Sequence, residues 1–452
     1  MVMKTSYIFQ LLISVCVLLG GISATAQNRS EPYETQAFSD RFRTIQTEVE
    51  GRELFPPIIE LNTDEHITIS FDELAEDVTY LQYSLIHCNA DWRPSDLSDL
   101  EYLDGFNTNS VEEYEFSTAT FAHYVHYRIT LPNADVQFKV SGNYVLVVYP
   151  ENEPENILLQ VCFSVYENQV LVAPSVTSRT DIDYNREHQQ VEVALNTNNY
   201  RVQNPYNELK ISILQNSRRD KEVIINRPLR VQGNQIVFGH DRNMIFEAGN
   251  EFRRFEMVAT RYAGLGVEKI YYFDPYYHVV LATSVPRAQT SYLYDKTQNG
   301  RFVIRQSGAD DSNTEADYFV VHFTLDSDPI PGGKIYIDGE MTNHRYTPYN
   351  EMVYNPASGK YEKTLLLKQG SYNYQYLFLP DGGSAASAGP IEGNYYETVN
   401  EYLVKVYHRP QGVRYDKLIG IGVFRSLIGF LIRPCPEFIP NAIIVNKAMR
   451  YK

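Results

Sequence analysis

Positive charge is in deficit in this chain, tryptophan and methionine are scarce, and the familiar catalytic signatures are missing. Lysine and arginine total 40 against 56 aspartates and glutamates, a formal charge of −16 over 452 residues. A surface of that sign is repelled by phosphate backbones and anionic headgroups, which argues against nucleic acid and leaves a basic partner surface open. There is no Gly-x-Ser-x-Gly elbow, no His-Glu-x-x-His and no phosphate-binding glycine loop. Carboxylates are so numerous that pattern alone singles out no acid–base pair. We therefore expect no catalytic residue, no cofactor, no metal and no small-molecule substrate. Helical periodicity is also lacking: no dozen residues between 27 and 417 repeat with it.

What is present is tyrosine. The chain has 36 Tyr and 22 Phe beside 7 Met and the lone Trp92, and aromatic rings suit pleated sheets better than helices. Stretches such as Ile67-Thr68-Ile69-Ser70-Phe71 and Thr79-Tyr80-Leu81-Gln82-Tyr83 alternate with period two, the pattern of a strand with one face on a core. Three phrases stand out, Ser141-Gly142-Asn143-Tyr144, Ala248-Gly249-Asn250-Glu251-Phe252 and Gln369-Gly370-Ser371-Tyr372. Each reads as a glycine turn feeding a strand. Their glycines are 107 and 121 residues apart, close to the length of one sandwich of roughly 100 residues. The expectation is an all-β chain of three immunoglobulin-like β-sandwich domains in series after a cleaved signal peptide. Their spans are 27–168 with a polar arm, 169–285 and 286–410, followed by a divergent tail at 411–452.

Residues 1–26 carry Lys4, an apolar run and then Ala24-Thr25-Ala26, which matches a secretory leader cleaved before Gln27. The chain is thus expected to be exported. Cys88, Cys162 and Cys435 remain, and Cys88 with Cys162 is the candidate disulfide, the alternative being two buried thiols. His87, Cys88, His123 and His126 invite a zinc reading, but neighbours on a strand point to opposite faces and His123 and His126 are three apart. The acidic run from Asp310 to Asp317 lacks the glycine and terminal glutamate of a calcium loop and reads as solvated. Arg253-Arg254 reads either as an anion site or as a strand with one arginine paired and one solvated. Residues 418–432 are apolar, yet too short and glycine-rich for a membrane span, leaving a divergent tail or a membrane- or barrel-contacting segment.

Many separate phrases, in order, resemble one family. They include Ile86-His87-Cys88-Asn89-Ala90-Asp91-Trp92, Leu131-Pro132-Asn133, the three glycine phrases, Asp317-Tyr318, Asn400-Glu401-Tyr402 and Arg414-Tyr415-Asp416, spread over about residues 35–420. This resembles the plug proteins of the type IX secretion system. The resemblance implies a non-enzymatic protein of the periplasm, at the inner face of the outer membrane and monomeric by itself. Its partner would be the giant outer-membrane β-barrel translocon, whose channel it closes in the absence of cargo. Residues 286–410, with Ile335-Tyr336-Ile337-Asp338-Gly339, also look like a glycogen-binding-type module, although its usual sugar-stacking tryptophans are missing. The alternative reading is an exported glycan-binding protein that uses aromatic faces.

Overall fold

A computed structural model describes residues 31–427. The leader, Cys435 and the tail beyond residue 427 lie outside the described residues. The chain folds almost entirely into strands joined by turns and a few single-turn helices, as its alternation demands. No helix among the described residues is long and apolar enough to cross a membrane.

The first core lies between two sheets. One runs in the order Gln36–Ala37, Leu159–Tyr166, Gly142–Pro150, Leu81–Cys88, Asn109–Ser110, with Ile58–Glu60 added parallel to Leu159–Tyr166. The other runs Phe42–Val49, Ile67–Glu73, Val125–Leu131, Glu113–Phe116. Ile67, Ile69 and Phe71 bury every second side chain, as do Leu81, Tyr83 and Leu85, and they meet Tyr127, Leu146 and Phe163 between the sheets. Gly142–Pro150 is central and buried on both faces, so its apolar run is nearly continuous.

The other two cores are not in series. One is enclosed by Leu171–Thr177, His188–Asn196, Gln235–Phe238 and Arg230–Gln232 on one side. Its facing sheet runs Val223–Ile225, Leu209–Gln215, Glu401–His408, Lys417–Arg425. Val193, Ile211 and Ile213 there pack with Tyr402, Val404, Val406 and Ile419, residues about two hundred positions later. The third core is inserted between these halves. Arg253–Met257, Gly370–Pro380, Phe302–Ile304 and Gly333–Asp338 form one sheet, and Val267–Phe273, Tyr276–Leu281, Tyr318–Leu325, Lys360–Lys368 and Val353–Asn355 the other.

This corrects the expected boundaries. The division at 285/286 cuts through the third core, where Tyr276–Leu281 pairs in parallel with Tyr318–Leu325. The expected tail from 411 begins with Lys417–Arg425, a strand antiparallel to Glu401–His408. Leu418 and Ile419 are fully buried there, so the apolarity of this stretch is that of a core strand.

The glycine phrases also differ from a simple repeat. Arg253–Met257, after the second phrase, pairs with Gly370–Pro380, which opens on the third, so two phrases serve one sheet. Gly249 does adopt a left-handed turn conformation, with φ of 60°. Gly142, with φ of 153°, and Gly370 are also required by close approach. A Cβ would stand 2.2 Å from His87 Nε2 at the first and 2.3 Å from the Val303 carbonyl oxygen at the second. Gly370→Ala is therefore expected to push Phe302–Ile304 off its neighbour and to cost about 1–3 kcal/mol, read as a lower urea midpoint at unchanged m-value.

Candidate protein-interaction site

The residues that suggested chemistry are occupied in holding the fold. His87 is buried, its Nε2–H donating to the Ser141 carbonyl at 3.2 Å while Nδ1 accepts from the Ser95 hydroxyl at 2.8 Å. Burial lowers its pKa to about 4, so this Ser–His pair lacks an effective base. His126 donates to Asp72, whereas the exposed His123 lies against Glu76, so the two imidazoles do not converge. In the acidic run, Glu315 accepts from the backbone N–H groups of Asp310 and Asp311, and Asp317 from those of Phe121 and Ala122. Arg253 pairs with Glu392 and Arg254 with Asp295, so both arginines are paired.

Cys88 and Cys162 are buried free thiols, the second of the two alternatives. Cys88 lies opposite Asn143 and Cys162 opposite Val145, on the two strands that flank Gly142–Pro150. Two ladder spacings separate such strands by roughly 9–10 Å, beyond the roughly 7 Å Cα limit of a disulfide.

What the sequence did not disclose is how the cores are joined. Each touches the other two, and buried polar groups mark each junction. Between the first and second, the Asn143 side-chain oxygen accepts from Ser164 at 2.8 Å and Tyr407 at 2.9 Å, above a patch of Ile58, Tyr166, Leu214 and Leu403. Between the first and third, the fully buried Asp72 accepts from Lys368 Nζ at 2.6 Å, Tyr318 at 2.7 Å and His126 at 2.7 Å. Between the second and third, Arg218 donates to the Ala386 carbonyl at 2.6 Å, Asn299 to the Val399 carbonyl at 2.7 Å, and Arg301 pairs with Glu401. A cavity of about 550 Å³ lies where all three meet, its wall including Ile58, Trp92, Leu214, Arg301, Tyr346 and Lys405.

The glycine phrases take part in these junctions: Asn143 itself, Glu251, which accepts from Val399 N–H, and, from within the third core, Gln369, which accepts from the N–H of Asp317, the residue whose carboxylate receives Phe121 and Ala122 of the first core. The only available signal was a polar residue fixed next to a glycine, which sequence reading assigned to turns.

Lys405 is the strained member of this set. It is 3% exposed, donates to the Ser164 hydroxyl at 3.2 Å and more distantly to the Asn143 side-chain oxygen at 3.5 Å, and sits 4.5 Å from the centre of the Trp92 ring, whose system also carries Arg219 at 4.3 Å. Burial lowers its pKa to about 8, with Glu222 opposing and Arg219 reinforcing the shift.

At the outer margin of the junction between the first and third cores, aromatic rings collect on one exposed hairpin. Val267–Phe273 is an edge strand that pairs only with Tyr276–Leu281 and carries Tyr271, Tyr272 and Phe273. Phe121 of the first core reaches across to Tyr272 and Tyr277, with ring centres 5.1 and 5.4 Å away. On the other face Tyr271 stacks on His278 at 5.2 Å. Phe273 is 68% exposed and Phe121 55%, and rings exposed side by side, unlike scattered single ones, mark an interaction surface.

A family model described as the type 9 secretion system plug protein 1st domain matches residues 42–167, the span of the first core. The chain belongs to the type IX secretion system plug protein family. A crystal structure of a hypothetical protein from Parabacteroides merdae ATCC 43184 is similar over nearly the whole of this plug-family chain. It shares 46% identity at a TM-score of 0.86, covering 87% of this chain and 100% of that one. An alkylpurine DNA glycosylase from Pseudomonas fluorescens aligns over 28% of this chain and 30% of its own, at 9% identity and a TM-score of 0.16. Native alpha-2-macroglobulin from Escherichia coli aligns over 44% of this chain and 98% of its own, at 12% identity and a TM-score of 0.14. Neither bears on the fold. No curated protein matches.

Two outcomes are expected of this plug-family chain. Relative to a Lys405→Met variant, its unfolding free energy rises between about pH 8 and 10.5, because the folded pKa lies below the lysine reference of 10.5. Stability is gained as the unfolded chain keeps a proton that the folded one has released, up to about 3 kcal/mol; parallel urea titrations at pH 7.5 and 10 measure it. Peptide mapping under non-reducing, alkylating and denaturing conditions returns Cys88 and Cys162 as alkylated thiols, with no peptide joining them.

Proposed function

We infer that the protein is a non-enzymatic plug of the type IX secretion system. It binds the giant β-barrel translocon from the periplasmic side of the outer membrane and closes its channel when no cargo is passing. The observation that carries this reading is the mutual locking of the three cores. Blocking a wide channel needs bulk that does not deform, and here each body is held by both others through buried polar contacts. Separating the first body from the third would break the Asp72–Lys368 pair and the Tyr318 hydrogen bond to Asp72, and truncating one partner of such a buried pair with the junction still closed costs about 3–5 kcal/mol. A plug otherwise needs only that the closed complex lie a few kcal/mol below the open one. The low basicity of His87 fits work done by shape rather than by turnover.

The test is deletion with complementation. In a deletion strain, the outer membrane is expected to admit a large antibiotic that the parent excludes, and affinity-tagged protein from detergent-solubilised envelopes is expected to bring down the translocon barrel. Unchanged permeability together with no recovered barrel would reject the plug reading.

A further inference from the structure

We propose that the aromatic hairpin Val267–Phe273/Tyr276–Leu281, with Phe121 beside it, is the docking surface of this chain, and that it receives a basic segment of a partner protein in which arginine or lysine alternates with apolar residues. The inference deepens the plug reading and rests on it for the identity of the partner, though not for the chemistry of the segment.

Three observations converge on that chemistry. The first is the rings, which lie on both faces of a hairpin standing at the edge of its sheet, in contact with the first core through Phe121. The surface is thus continuous with the contact between the first and third bodies, so a segment bound there would touch both. The second is charge. Residues 112–123, 267–278 and 310–317 carry nine carboxylates and one lysine, Lys269. These segments adjoin: Thr118 N–H donates to the Thr314 carbonyl at 3.0 Å, Phe121 N–H to Asp317 at 2.9 Å, and Phe121 lies on Tyr272. Of the neighbouring cations, Lys368 is paired with Asp72, Lys269 stands over a ring, and Arg128 lies opposite Glu113 in the ladder.

The third observation is Lys269 itself, whose Nζ stands 4.9 Å from the centre of the Tyr271 ring. The hairpin therefore already holds one cation by its π-face, the mode in which an arginine from outside would bind. Exposed aromatics within an acidic field select for a cation on an apolar stem. Such a residue places its stem on the rings and its charge among the carboxylates, and of the two cations arginine is the one enriched at the energetic centres of interfaces. An acidic or purely aliphatic segment would meet the field unfavourably or leave it uncompensated.

The test uses the full mature chain and a fluorescein-labelled peptide alternating arginine with leucine, with the glutamate–leucine peptide as its counterpart, read by anisotropy at 0.15 M salt. The arginine peptide is expected to bind and the glutamate peptide not. Phe121→Ser with Phe273→Ser is expected to weaken binding at least tenfold while circular dichroism shows the chain still folded, and Phe273→Ser alone, remote from the contact between the first and third cores, to weaken it severalfold with an unchanged melting temperature. Glu268→Gln with Asp274→Asn is expected to weaken it severalfold and to flatten its salt dependence. Absence of binding to the wild-type chain overturns the proposal. Equal binding to the serine variant does so as well, since it would mean attraction to the acidic surface at large. In envelope pull-downs, barrel recovered equally by wild type and serine variant overturns this surface and leaves the plug reading standing. Barrel recovered by neither rejects the plug reading, and the peptide measurement still decides the surface.

Discussion

The architecture depends on one strand pairing. Leu209–Gln215 is completed by Glu401–His408, with Ile211 opposite Val406 and Ile213 opposite Val404. Until the chain has run through the whole third core, the second lacks Tyr402, Val404 and Val406, each fully buried and each worth about 1.5–3 kcal/mol of burial. Closing so long a loop is entropically expensive, but the cost grows only logarithmically with length, so a body of some 150 residues can be inserted if it folds on its own core. The inserted body then has its two ends tied to the two facing sheets of the second core, Ile245–Glu247 beside His188–Asn196 in one and Glu401–His408 beside Leu209–Gln215 in the other, which fixes where it sits.

That return also explains why the junctions are polar. Glu401–His408 carries Lys405 and Tyr407 to the first core, where Asn143 receives the tyrosine hydroxyl. A purely apolar junction would hold the bodies at many nearby angles, whereas a buried carboxylate such as Asp72 is satisfied only when Lys368, Tyr318 and His126 all arrive together. Direction is thereby specified along with affinity. For a molecule whose proposed work is to fill a channel, a fixed shape is the useful property, and the unfavourable burial of Lys405 is a local cost of the same arrangement.

Much of the fold was legible. Ile67–Glu73 and Leu81–Cys88 reveal themselves by alternation because each has one face on a core. Glu401–His408 is legible as a strand, but its partner is not, because period-two patterning says which face is buried and nothing about against what. The apolar stretch after Lys417 looked like a departure from the fold for the same reason. Of the candidate site, the acidity was countable and the aromatic run from Tyr271 to His278 readable as strand. That Phe121 and the run Asp310–Asp317 stand beside it was not, since these segments are brought together only by the contact of the first and third cores. Cys88 and Cys162 lie in strands of the first core as expected, yet that one strand stands between them in the same sheet was invisible to spacing.

By itself, then, the sequence settled the all-β class, the segments that become strands and the family, because hydrophobic period and local phrases are properties of neighbouring residues. The tertiary structure alone decided which strands share a sheet, that the third core interrupts the second, and that Asn143, Glu251 and Gln369 are anchors rather than turn residues. Those outcomes rest on contacts between residues far apart in the chain, where backbone geometry and buried charge are satisfied only once the whole molecule has closed.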